Sequence, residues 1–437
     1  MGILIGVGQN RPTFPYDYFY GVEFDTSVSA PGCTRIGRAE LHASLPVHSL
    51  MRRCLVSDAG VVTHYLNPTD STKYDTGSNA DLSGAEGQVM VEIPDHYVKF
   101  EAEGTKRRVM MSAHSLPGFI KIPKFYISAY EAAMKRSTTQ LCSVVNMTDD
   151  FRGGNNNAAW DGTHKDLHGM PATALSLASF RTAARKERNS KWNCNTYFVQ
   201  KALYWLFVVE YATLNSQAAY TAELTAEGYH QGGLGAGVSN LTSTGWNAMC
   251  GYYPFIPCGF TNSLGNQTGV VTFTPTAEQI EAYGSSFTTT VPSYRGVENP
   301  FGHIWKWTDG ILANIEAGDD GKSKVYVCDD PDNYASSLTA NYRDAGIELP
   351  RASGWMKEAA FGANGDILPI VNGGSATTYY CDYFYASTIP DTGATLRGLL
   401  FGGSSHYGAS DGFVCAYSYF SPSDASANIG SRLCYLP

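Results

Sequence analysis

Charge is scarce in this chain: Asp, Glu, Lys and Arg make up 16% of its 437 residues, against roughly a quarter in an average soluble protein. What charge there is leans acidic, at −9, and the longest basic run is Lys106-Arg107-Arg108. A nucleic-acid partner is therefore not expected, because counterion release needs clustered Lys and Arg. Long hydrophobic runs are missing too. The longest, Ala202 to Val209, stops at Glu210, well short of the ~20 residues that a membrane-spanning helix needs. The opening MGILIGVGQNRPTFPYDY has no basic start, no continuous apolar core and no small-residue cleavage site, so no signal peptide is expected and the chain should fold in a cytoplasm. Ten Cys are scattered without a CxxC, and a chain of this length needs no disulfides, so the thiols are expected free and buried. HExxH and GxxxxGK[ST] do not occur, which removes two of the simplest enzyme readings.

What is abundant is glycine (45), tyrosine (28) and phenylalanine (20), the composition of a folded, turn-rich and aromatic-rich protein. Residues 1–85 read as short strands and turns ending in the polar stretch STKYDTGSNADLSGAEG, a candidate boundary. They are expected to form a small β-rich unit. From Gln88 the alternation is strand-like. Leu175 to Arg185 has an amphipathic helical pattern, and Tyr197 to Leu214 is apolar nearly all round behind the N-cap candidates Asn195 and Thr196, which predicts a buried helix. Gly-rich loops follow, then short strands to the end, so residues 86–437 read as one α+β domain. Three weak site candidates fall to bland readings. His164 and His168 lack a recognisable third metal ligand. QGGLGAGV (231–238) lacks the strand and spacing of a phosphate loop. The acidic turn Glu316 to Gly321 lacks calcium-loop spacing. No metal or cofactor is expected.

From Gly403 to Leu433 the sequence runs GSSHYGASDGFVCAYSYFSPSDASANIGSRL, with no Lys, Glu, Gln, Met or Trp. One genetic mechanism produces that absence. If Asn codons are randomised at their adenines, the third base stays a pyrimidine, and those five residues cannot be encoded. Ser, His, Tyr, Asp, Phe and Asn can.

The flanks carry a resemblance. Asn299-Pro300-Phe301-Gly302-His303-Ile304-Trp305-Lys306-Trp307 resembles the GNVWEW segment of formylglycine-generating-enzyme-like proteins. Leu396 to Ser405 (LRGLLFGGSS) resembles their RVLRGGSW, and Ile429-Gly430-Ser431-Arg432-Leu433-Cys434 their terminal IGFRC. The apolar helix sits where that family has TEAEWEYA, and Lys124 to Met134 where it has its first strand. The resemblance implies a C-type-lectin-like fold. Within that superfamily the pattern RGLLxGG…NIGSRL is similar to the variable proteins of diversity-generating retroelements, which include phage tropism determinants and gut-bacterial relatives.

That resemblance implies a variable region of about 396–434. Gly408, Gly412 and Pro422 would be fixed framework, and Ser404, Ser405, His406, Tyr407, Ser410, Asp411, Tyr417, Tyr419, Phe420, Asp424 and Ser426 the exchangeable ligand-binding residues. These are expected to project outward from a frame pinned by Trp305, Trp307, Leu399, Leu400, Ile429 and Leu433, with Tyr383, Phe384 and Tyr385 either extending the surface or lying in the core. Tyr offers large rigid contact area, and Ser and Asp adaptable hydrogen bonds, as in an antibody paratope. The implied function is a phage tail or virion adhesin that binds a bacterial surface protein or glycan, held to the particle through its N-terminal unit and compatible with a homo-oligomer. Two alternatives stand beside it, a formylglycine-generating-type oxidase and a structural virion-decoration protein. The oxidase needs paired cysteines after the RGGS segment, whereas here only Cys415 precedes Cys434. The calcium-lectin motifs EPN, QPD and WND are absent, so sugar recognition through Ca²⁺ is not implied.

Overall fold

The computed structural model describes residues 18–154, 167–235 and 237–437. His164 and the opening residues on which the signal-peptide expectation rests lie outside the described residues, while His168 pairs with Asp149 at 2.7 Å. Among the described residues no helix is long and apolar enough to cross a membrane.

Strands dominate, which corrects the α+β expectation: the protein is mostly β, and among the described residues only one helix exceeds nine residues. Gly-rich turns close strands before any long helical period can build up. One sheet orders Thr34–Gly37, Tyr20–Asp25, Lys106–Ser112, His96–Glu103 and Ile120–Ile122. A second orders Trp192–Cys194, Leu433–Tyr435, Phe125–Ser128, Gln88–Ile93, Arg52–Val56, Val62–Asn67 and Asp70–Tyr74. Strands on the two sides of residue 85 therefore pair, Tyr20–Asp25 with Lys106–Ser112 and Arg52–Val56 with Gln88–Ile93. The described residues 18–85 thus share their sheets with later strands. Their polar ending is an excursion between paired strands, part of which is itself the edge strand Asp70–Tyr74. Thr34–Gly37 is a strand, but Ala39–Ser44 directly after it is helical, in keeping with the helix preference of Ala, Glu and Leu.

The long helix is Tyr197–Tyr211. The Thr196 hydroxyl accepts from the Val199 N–H at 3.2 Å and caps its start, satisfying one of the free amide donors there. Nearly every side is buried, so its one acid needs a partner. Burial would raise Glu210, but the Arg295 guanidinium, at 2.7 and 2.8 Å, outweighs burial and holds the carboxyl below its usual value. The Gly-rich region after the helix is more ordered than its lack of periodicity suggests. It holds the helices Ser243–Cys250 and Ala277–Tyr283 and the hairpin Gly269–Phe273 with Thr289–Tyr294, packed around Trp246, Phe255 and Phe287.

The third and largest sheet positions the C-terminal segment. Its long strand Trp305–Glu316 pairs with Ala394–Phe401, Ser323–Val327 and, in parallel, Ile429–Gly430. Trp305, Trp307, Leu399, Leu400, Ile429 and Leu433 are all no more than 1% exposed, as expected of the frame. Leu433 stands between Trp192–Cys194 and Phe125–Ser128. Leu433→Ala should cost about 2–5 kcal/mol of stability by lost burial plus the cavity left behind, read as a lowered urea midpoint. A midpoint unchanged within error would show that this strand does not secure the sheet.

Candidate functional site

Two short strands start the site. Tyr383–Tyr385 runs parallel to Ala416–Tyr417, with Phe384 opposite Ala416 and Tyr385 opposite Tyr417. Side chains alternate across a strand. Phe384 and Ala416 therefore point into the core, at 1% and 0% exposure, while Tyr383, Tyr385 and Tyr417 stand half-buried on the other face. The alternation resolves the Tyr383–Tyr385 question both ways, with Phe384 in the core and its two neighbours on the surface. Trp355 pairs opposite Tyr383 and meets its ring edge-on at 5.3 Å.

From there the rings form a continuous patch. Tyr383 contacts Tyr385 at 4.6 Å, Tyr385 contacts Tyr407 at 4.7 Å and Tyr417 at 5.2 Å, and Tyr417 contacts Tyr419 at 5.8 Å and Phe420 at 5.3 Å. Trp305 lies underneath, within 6 Å of Tyr385, Tyr407 and Tyr417. Tilted and edge-on packing of this kind fixes ring orientation and adds about 0.5–1.5 kcal/mol per pair. At one margin His406 stacks on Tyr407 at 4.1 Å and abuts Trp246 and Tyr252 of the Gly-rich region. At the other the Arg397 guanidinium lies 5.6 Å over Tyr419.

The expected site residues thus divide. His406, Tyr407, Ser410, Tyr417, Tyr419 and Phe420 come together on this face, with Ser410 beside Tyr385. Asp424 and Ser426 are half-buried on the next loop, where their bonds are local, to the Ser421 N–H and to Asn428. Ser404, Ser405 and Asp411 are fully buried, a correction to the expectation that every exchangeable side chain projects outward. The physical reason is the turn they belong to. Gly402 and Gly403 take φ of +98° and +73°, which sends the chain down against the frame before it rises at His406. There the Ser405 hydroxyl donates to the His303 carbonyl at 2.8 Å. Of the expected framework, Gly408 has φ of +59°, and the Pro422 carbonyl accepts from the Leu177 N–H at 3.1 Å.

Below the turn is a charged cluster that sequence reasoning missed. Glu131 pairs with His303 at 2.6 Å and with Lys306 at 3.1 Å, all three side chains about 1% exposed or less. Burial would raise Glu131, but Lys306 and His303 outweigh it and hold the carboxyl at about 2. Arg432 donates to the carbonyls of Ser128, Glu298 and Asn299. The only signal in the sequence was that Lys306 and His303 sit inside an otherwise apolar motif.

Two catalytic patterns fail on geometry. Gly408-Ala409-Ser410-Asp411-Gly412 spells GxSxG, but it lies on the one-turn 3₁₀ helix Gly408–Ser410 rather than between a strand and a helix, as a nucleophile elbow requires. Cys415 and Cys434 are both fully buried, and burial pushes both thiols up, the opposite of what a reactive thiolate needs.

No family model matches the chain, and no curated protein matches it. Among solved structures it is similar to the Major Tropism Determinant I1 Variant, at 15% identity over 82% of this chain and 75% of that one, with a TM-score of 0.21. It is similar also to the Major Tropism Determinant M1 Variant, at 14% identity over 92% and 88%, again with a TM-score of 0.21. The site described above rests on the geometry of this chain alone.

Burial separates the two kinds of position. Ser405→Tyr forces a ring into the packed turn and should cost about 1–3 kcal/mol, whereas Tyr419→Ala, at 41% exposure, should stay within about 0.5 kcal/mol of wild type. Denaturation midpoints of the two variants test this, and equal effects would contradict the division.

Proposed function

We propose that the protein is a ligand-binding adhesin whose contact surface is the aromatic face, with His406, Tyr407, Ser410, Tyr417, Tyr419 and Phe420 exchangeable. The single observation that carries the reading is the continuous patch of half-exposed rings, mounted on buried frame residues and supplied largely by one short segment. Such a surface does little chemistry but binds well. Rigid amphipathic rings lose little entropy on contact, and interface energy concentrates on anchors of this type. Scarcity of charge at the patch suits recognition by shape and hydrogen bonding rather than by electrostatic steering.

The finer parts of the proposal come from sequence. The adenine-compatible composition of 403–433 and the RGLLxGG…NIGSRL flanks assign the segment to programmed diversification by a retroelement. They assign the domain to a C-type-lectin-like fold of the formylglycine-generating-enzyme type. On that reading the protein is a phage tail component that recognises a bacterial surface protein or glycan, with its N-terminal strands serving attachment to the particle or self-association. Asp424 and Ser426 belong to the exchangeable set at its margin. Buried thiols argue against the oxidase alternative.

Sequencing the gene in several isolates tests diversification. A nearby copy of its last ~100 bases that differs only at adenines, beside a reverse-transcriptase gene, is expected, and an invariant 3′ end without a copy would overturn the assignment. Binding is tested separately. The triple variant Tyr407→Ala, Tyr417→Ala, Tyr419→Ala should lose at least a hundredfold in adsorption to cells that the wild type binds, since hot-spot anchors are worth about 2 kcal/mol or more each. The lost ring contacts should also lower its denaturation midpoint, so adsorption is read where circular dichroism shows the variant folded, and unchanged adsorption by the folded variant would refute the site.

A further inference from the structure

Asp382 and Asp411 are buried beneath the segment 403–415, at 1% and 0% exposure. Asp382 holds the segment from below. Its Oδ2 accepts from the Val414 N–H at 2.7 Å, and the Ser216 hydroxyl, from the loop after the long helix, lies beside this carboxyl and accepts from the Phe413 N–H at 3.4 Å. Gln217, next along that loop, donates to the carbonyls of Gly408 and Asp411. Among the described residues, the second oxygen of Asp382 and both oxygens of Asp411 are buried without a well-formed hydrogen bond. Asp411 has only a contact with the Ser404 amide.

The surroundings are fitted to these carboxyls. A Cβ on Gly412 would lie 2.0 Å from Asp382 Oδ1, and a Cβ on Gly403 would lie 1.7 Å from Asp411 Oδ1. The titratable groups facing the pair are Lys306, Tyr204, Cys381, Cys415, Tyr385 and Tyr407. Among these only Lys306 is a cation, and it is engaged by Glu131 at 3.1 Å. Two ionised carboxylates in this place would lack a counter-charge, and a buried group in that position takes up a proton or moves to water.

We infer that Asp382 and Asp411 form a proton-operated latch: protonated, they let segment 403–415 close over them, and ionised, they open it together with the part of the aromatic face that His406 and Tyr407 carry. The latch is a property of the free protein, and only its consequence for adhesion rests on the function proposed above. Asp411 is on this account a fold position rather than a ligand contact.

The sign follows from where the protons sit. Burial pushes Asp382 from 3.8 up to about 7, and Asp411 well above the usual carboxylate range, with Lys306 opposing the shift at Asp411. The closed segment binds the protons, and the opened one releases them at ordinary carboxylate values. Closure is therefore at full strength below pH ~4, weakens as pH rises, and has lost the contribution of Asp382 once the pH passes about 7. Within that window each carboxyl shifts the closed-to-open ratio about tenfold per pH unit.

Hydrogen exchange of amides 403–415 in the free protein, corrected for intrinsic rates, reads the latch without any ligand. Protection should fall by up to about a hundredfold per pH unit between pH 5 and 7 in the wild type, about tenfold from each carboxyl, while the amides of the long helix keep theirs. Asp382→Asn should flatten the fall. If that variant misfolds, as judged by near-UV circular dichroism, Asp411→Asn is the second test and should flatten it likewise. Protection independent of pH in the wild type, or an equal fall in a folded variant, would overturn the inference. A thermal midpoint raised by Ca²⁺ or Mg²⁺ in the wild type and not in Asp411→Asn would also overturn it, by making the pair a cation site. Loss of adhesion in the tyrosine variant leaves these outcomes untouched, so the latch and the adhesin fail separately.

Discussion

The Lys306–Glu131 ion pair, 3.1 Å long with both side chains about 1% exposed, ties the long strand of the largest sheet to the segment after Phe125–Ser128. Removing one member would leave the other charged and unpaired in the interior, a loss of about 3–5 kcal/mol in comparable cases. Two more chain segments depend on the same centre. His303 reaches Glu131 from the turn before the long strand, and Arg432 gathers the carbonyls of Ser128, Glu298 and Asn299. Residues far apart in sequence are thereby fixed within one buried cluster, and the segment 403–415 is laid over it. A buried ion pair is a weak source of net stability, yet it specifies one arrangement among several apolar alternatives. Specification is what a frame needs if side chains above it are to be exchanged.

The aromatic face gains its order from that frame and from itself. Trp305 supports three tyrosines from beneath, and its own N–H accepts the burial without a hydrogen-bond partner. The rings above touch mostly at tilted angles, so each limits the tilt of the next. Part of the patch lies outside the segment 403–433, since Trp355, Tyr383 and Tyr385 come from other strands. On the proposed function, contact area would be divided between a fixed floor and a replaceable rim, so that the rim could change without dismantling the surface.

How much of this could be read from the chain depended on the range of the interaction. The apolar helix was legible because all of its signals are local, an N-cap at Thr196 followed by continuous apolar residues. The frame residues were legible because the two tryptophans and four aliphatics sit in motifs. The boundary at residue 85 was not. A polar stretch looks the same whether it links two units or loops out between paired strands, and the pairing of Arg52–Val56 with Gln88–Ile93 is a long-range fact. Likewise an Asp, a Ser and a Tyr within eight residues are equally polar on paper. The positive φ of Gly402, Gly403 and Gly408 shapes a turn in which Ser404 and Asp411 are buried while His406 and Tyr407 come up, and a turn of this kind is not read from residue type.

This division bears on what diversification of such a segment would do. A mechanism that edits codons cannot tell a buried position from an exposed one, so some of its products alter the fold rather than the contact. At position 405 the available space admits little beyond a small hydroxyl, since Ser405 is fully buried against the His303 carbonyl. At position 411 the cradle formed by Gly403 and Lys306 admits a carboxyl and would admit its amide, but not a ring. Exchange at these two positions therefore acts through the shape and mobility of the segment, while exchange at 407, 417 and 419 acts through the ligand directly. A repertoire built on this scaffold would vary in flexibility as well as in surface, and the two kinds of variation would be inherited in the same stretch of codons.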